Sequence, residues 1–109
     1  MSVLWYRNLY TGEKADKHRK KIQWKLKHRV GTVRVFLLTM PTNENNSLDI
    51  LNAAYLKQPY YRKKEIRVVG IAVTYEEAMQ VLLRIVEEVY ESTNGMDIKG
   101  FLNKEGWQV

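Results

Sequence analysis

The chain has 109 residues, 45% of them hydrophobic, with 18 Lys and Arg against 12 Asp and Glu and no cysteine. That length suits one domain over 1–109 with a core of its own, and the apolar content excludes a disordered or fibrous chain. No apolar run reaches the ~20 residues needed to span a bilayer, and the missing cysteines exclude disulfides, zinc–thiolate sites and thiol catalysis.

Charge is unevenly spread. Residues 1–34 hold ten Lys or Arg against Glu13 and Asp16, whereas residues 75–109 hold three basic and seven acidic side chains. Such asymmetry speaks to partners rather than to fold. The start, Met1 to Arg7, lacks a basic segment followed by an apolar stretch, so no signal peptide and a cytoplasmic location are expected.

Along the chain, Ile22, Trp24, Leu26, His28 and Val30 alternate with Gln23, Lys25, Lys27 and Arg29. Period two predicts a half-buried strand over 21–30. Ala15, Ile22 and Leu26 would also share one face of a helix. The unbroken alternation, and the glycine turn signal of Arg29-Val30-Gly31-Thr32, favour the strand. A second strand follows over 33–40, rich in β-branched and aromatic residues and ended by Pro41.

Residues 41–47 read as a turn-rich loop. Asn46 or Ser47 would cap a short helix over 48–56, with Ile50, Leu51 and Ala54 on its apolar face, stopped by Gln58-Pro59. Residues 66–73 predict a third strand buried on most of both faces, with Gly70 marking a bulge or a close backbone approach. Thr74-Tyr75-Glu76-Glu77 matches a capping box: the Thr74 hydroxyl accepts from the Glu77 amide, and the Glu77 side chain returns the bond. Ala78, Met79, Leu82, Val86 and Val89 then repeat at helical spacing as far as Asn94-Gly95. Ile98, Phe101, Leu102 and Trp107 in the tail are expected to pack back, with one short turn of helix.

The resulting fold class is α+β: a small, mainly antiparallel three-stranded sheet, made of a β-hairpin plus a third strand. A short helix and a long C-terminal helix pack on it.

No catalytic residue nominates itself. His18 and His28 lack the further ligands that a zinc site needs, and Asp16 with His18 is too common a spacing to mark an acid–base pair. No nucleophile elbow, phosphate-binding glycine loop or dinucleotide fingerprint is present. No metal and no cofactor are called for.

Two features suggest binding instead. As a strand, 21–30 would turn Lys21, Lys25, Lys27 and Arg29 to one side, a basic sheet face able to follow a phosphate backbone. The plain alternative is a solvated outer face whose lysines discourage edge pairing. The second feature is a pair of aromatic-basic clusters. One holds Trp5, Tyr6, Arg7 and Tyr10; the other holds Tyr60, Tyr61, Arg62 and Lys63. Such side chains suit protein contacts or base stacking, and equally the closing of a core edge. An α-β-β-β-α outline also brings a double-stranded-RNA-binding domain to mind. That module presents basic residues where this chain has Tyr75-Glu76-Glu77, so the assignment is set aside.

The segments Leu4 to Lys14, Gln58 to Lys63 and Val69 to Ala72 resemble a group of small proteins from anaerobic gut-type bacteria. No activity is assigned to that group, so the resemblance implies a cytoplasmic bacterial protein and no substrate. The expected function is a non-catalytic binding or protein-interaction module, with a protein partner or self-association as a homodimer, and no membrane partner. The alternatives are a nucleic-acid binder using the basic sheet face, and a small enzyme or ligand binder without a recognisable motif.

Overall fold

The computed structural model describes residues 2–29, 33–41 and 48–108, the Glu105 side chain excepted. Strand β1 (Ser2–Thr11) leads into helices α1 (Glu13–Asp16) and α2 (Arg19–His28). Strands β2 (Phe36–Thr39) and β3 (Asp49–Asn52) follow, then 3-10 turns at Ala53–Lys57 and Pro59–Tyr61. Strand β4 (Glu65–Ala72), helices α3 (Tyr75–Thr93) and α4 (Ile98–Glu105) and strand β5 (Trp107–Gln108) complete the order.

The five strands form one sheet in the order β3-β2-β4-β1-β5. β1 and β4 run parallel; the other neighbours are antiparallel. This overturns the expected three-stranded sheet with its hairpin. The architecture is still mixed α and β, but the sheet is larger and mixed in direction, with four helices.

The decisive correction lies at 19–28. Arg, Lys, Gln and Leu are good helix formers, and they fill this segment. Ile22 and Leu26, one helical turn apart, are its buried residues. Trp24 and His28, which the strand reading turned inward, are exposed. Two members of the alternating set, Trp24 and His28, therefore never enter the core. The helix closes at Arg29, whose left-handed backbone (φ 55°, ψ 40°) sends its amide to the carbonyl of Lys25. The expected turn at 30–32, like the cap at Asn46 or Ser47, lies outside the described residues.

The predicted helix over 48–56 is instead β3 and a 3-10 turn. Leu51 and Ile50 pair with Leu37 and Leu38. The Asn52 side chain accepts from the Ala54 amide at 3.0 Å, starting the turn.

β4 lies close to its predicted place and is buried on both faces. Its registers with β1 and β2 shift around Val68–Gly70. A β-carbon on Gly70 would stand 3.2 Å from the Tyr10 carbonyl oxygen and 3.2 Å from Val81. Both readings of that glycine hold: a bulge, and a close approach of chain to chain.

Two cores sit on opposite faces of the sheet. On one, Trp5, Leu9, Leu37, Ile66, Val68 and Ile71 meet Ala15, Ile22 and Leu26 of α1 and α2. On the other, Tyr6, Leu38, Val69 and Ala72 meet Val81, Ile85 and Val89 of α3 and Leu102 of α4. No helix among the described residues is long and apolar enough to cross a membrane.

Candidate functional site

β1 and β4 are parallel neighbours, yet their following helices leave to opposite faces. β1 feeds α1 and α2 on one side, and β4 feeds α3 on the other. In open sheets such a divergence opens a crevice beyond the carboxyl ends of the strands, a common place for ligands. Here a cavity of about 280 Å³ lies there, between Gly12, Lys14, Thr74, Glu77, Gln80 and Arg84.

The polar groups around that crevice are engaged with one another. Thr74 Oγ1 accepts from the Glu77 amide at 3.1 Å, as the capping pattern predicts. The buried Glu77 carboxylate does not return the bond to Thr74. Its Oε1 accepts from the amides of Ala15 at 3.2 Å and Val73 at 3.3 Å, tying the start of α1 to the end of β4. Arg84 donates to the Thr11 carbonyl at 2.8 Å and lies over the Tyr10 ring. Thr11 donates to Asp16 at 2.9 Å, and the Tyr10 hydroxyl donates to Glu88. Burial, and then the bonded and negatively charged Glu88, hold the Tyr10 hydroxyl well above its ordinary pKa, with Arg84 opposing. This is a clasp joining β1, α1 and α3.

The residues of the first aromatic-basic cluster contribute to that clasp and to the core. Trp5 and Tyr6 are 4% and 1% exposed and point into different core layers, so neither offers a contact surface. Tyr10 stacks on Tyr6 at 5.9 Å, and Arg7 is exposed. In the second cluster Tyr60, Arg62 and Lys63 are exposed, while Tyr61 packs partly against the core. Tyr60 meets Tyr61 edge-on and carries Lys64 over its ring at 5.0 Å. Lys64 accepts from the Ser2 amide, at the opposite end of β1 from Tyr10. Ser2 pairs with Glu65 and Tyr10 with Gly70, five residues along β4, so at ~3.3 Å per residue the Tyr10 end of the first cluster stands ~17 Å from the second. The structure does not bring them together.

The four cationic residues Lys21, Lys25, Lys27 and Arg29 lie on and just after α2, not on a sheet face. With the apolar face of α2 buried, its outer surface centres on Trp24, 54% exposed. Lys20 and Lys21 precede Trp24 by four and three residues; Lys27 and His28 follow by three and four. Those spacings put all four around the indole on the helix surface. His28 touches it, ring centroids 4.7 Å apart. α2 contains no acidic residue, and the side chains of Lys20, Lys21, Lys25, Lys27 and Arg29 form no hydrogen bond or ion pair with a described residue.

Matched against protein-family models, curated proteins and solved structures, the chain finds no counterpart.

Two grooves flank α2. One, of about 240 Å³, is lined by His18, Lys21, Lys25 and Arg34 among valines and an isoleucine, without a carboxylate. The other brings Lys25 and Arg29 beside Lys57. The expected strand turned the cations outward and the indole into the core; the helix leaves Lys21, Lys27 and Arg29 exposed and the indole exposed with them. The signal that would have found the site is the spacing Lys20, Lys21, Trp24, Lys27, His28, which is helical.

Among the described residues no three His, Asp or Glu side chains are arranged to hold a metal ion. The crevice and α2 therefore differ in kind. In one, Thr74, Glu77 and Arg84 are committed to neighbouring backbone groups; the other has a row of cations with no carboxylate partner among the described residues.

Proposed function

We propose that this chain is a non-catalytic binding module whose ligand is single-stranded nucleic acid, taken on the outer face of α2. The observation that carries this reading is the exposed Trp24 ringed by Lys20, Lys21, Lys27 and His28. A base stacks on an exposed indole, worth ~1–3 kcal/mol, while surrounding cations follow the phosphates. The carboxylate-free groove at Lys21, Lys25 and Arg34 supplies a path for the backbone beside that platform. A membrane surface fits less well. Interfacial helices bury their apolar face in lipid, and the apolar face of α2 is already occupied by the core.

The test is fluorescence anisotropy with a labelled single-stranded oligonucleotide and its duplex over a salt series. Log affinity should fall against log salt with a slope of about −0.7 for each phosphate neutralised. Lys21→Gln with Lys25→Gln should make that slope shallower by about 0.7 for each lysine removed. Trp24→Ala should weaken the single strand by about tenfold or more and the duplex little. No binding at ~50 mM salt, or equal loss on both strands forms, would overturn the reading.

A further inference from the structure

α3 carries a second surface, on the far side of the helix from the clasp. Its inward face holds Ala78, Val81, Ile85 and Val89. Arg84 and Glu88 flank that face on the side of β1, where they meet Thr11 and Tyr10. On the opposite flank stand Tyr75, Met79, Leu83 and Tyr90, each between 37% and 58% exposed. Leu82 and Val86 lie part-buried at the base of this stripe.

The stripe does not end at the helix. Tyr75 meets Phe36 of β2 edge-on at 5.8 Å. Phe36, Met40, Leu48 and Ile50 are only partly buried on the same side of the sheet. α3 and α4 cover β4, β2 and β1, and β3 has no fully buried residue. Among the described residues the helical layer on this face thus stops short of β3. A continuous exposed apolar patch of this kind marks an interaction surface.

We infer that this flank docks an amphipathic helix bearing lysine or arginine on its polar face, lying alongside α3 over β2 and β3. Charge identifies the occupant. The solvent-side rim of the stripe carries Glu76 and Glu87, both exposed, and the one basic residue of α3, Arg84, is turned to the other flank. A cationic helix meets both the apolar stripe and the acidic rim. A second copy of this chain packing α3 on α3 would bring four carboxylates into one rim, which opposes self-pairing. α3 spans 19 residues, ~28 Å, enough to receive four to five turns of a partner.

The probe is a labelled amphipathic Leu/Lys peptide of about 18 residues, ~27 Å long as a helix, compared with the same pattern in Leu/Glu. Anisotropy should show the Lys peptide bound about tenfold or more tighter than the Glu peptide. Leu83→Ser with Tyr90→Ser, both exposed and so compatible with the fold by circular dichroism, should weaken the Lys peptide by about tenfold. Glu76→Lys with Glu87→Lys should invert the preference, and Trp24→Ala should leave it unchanged, which separates this surface from α2. Equal binding of both peptides, or an unchanged affinity in the Ser variant, overturns the inference. So does a concentration-dependent dimer, by light scattering, that the Ser variant abolishes, since a second copy would then be the occupant.

Discussion

The carboxylate of Glu77 occupies the space that a β-carbon on Gly12 would need. An ideal β-carbon at residue 12 would fall 2.0 Å from Glu77 Oε1 and 2.2 Å from Cγ. The backbone at Gly12 is extended (φ −71°, ψ 162°), so conformation is not what restricts this position. Space is.

Gly12→Ala should therefore destabilise the protein by ~1–3 kcal/mol, the usual cost of overfilling a packed site. Glu77 cannot swing away cheaply, because it is buried and holds the Ala15 and Val73 amides. Urea unfolding of the two single variants and the double variant Gly12→Ala with Glu77→Ala checks this. The double variant should lose less than the sum of the singles, since removing the carboxylate makes room for the methyl group.

Thr74→Ala removes the acceptor for the Glu77 amide at the start of α3. The expected loss is ~1 kcal/mol, read as a lower urea midpoint with an unchanged slope. Thr74→Asn should recover most of it, because asparagine caps as well as threonine does.

Stability should fall at alkaline pH through Tyr10. Its folded pKa is raised, so the native state holds the phenolic proton more tightly than the unfolded chain does. The contribution is full below the unfolded value of ~10 and is lost as pH climbs above it toward the folded value. Thermal melts between about pH 9 and 11 should show that decline. Tyr10→Phe should flatten it, and should remove a late-ionising phenol from an absorbance titration of the folded protein.

The two faces of α2 and α3 should respond oppositely to truncation. Ile85→Ala or Leu102→Ala, each at 0% exposure, should cost ~2–5 kcal/mol by opening a cavity. Trp24→Ala, despite the larger side chain removed, should stay within ~0.5 kcal/mol of the parent, because the indole packs on the outside. Chemical denaturation of these three variants under one buffer settles the comparison.

What could be read in advance follows from how local the cause was. α3 was legible from Thr74 to Asn94 because its cap and its left-handed end are local, but the expected apolar stripe was rotated: Met79 is exposed, and Val81 and Ile85 face inward with Ala78 and Val89. β4 was legible because a strand buried on both faces needs only a continuous apolar run. α2 was misread because Ile22, Trp24, Leu26 and His28 satisfy period two, while only Ile22 and Leu26 satisfy the core. Alternation counts an indole as apolar, and the fold treats this one as surface. β1 went unassigned for another reason. Its partners β4 and β5 lie far along the chain, and its apolar residues go to both cores, Trp5 and Leu9 to one and Tyr6 to the other. The clasp was half legible: the Thr74 bond is local, but the reach of Glu77 to Ala15 depends on the pairing of β1 with β4.

That pairing also sets an order of events. Ser2 finds Glu65, and Tyr6 finds Trp107, so β1 leaves the ribosome before either of its neighbours. Until they emerge, Trp5, Tyr6 and Leu9 wait without shelter. Closing this sheet therefore rests on pairings of long sequence separation, the kind that slows folding and prolongs the exposure of apolar strands.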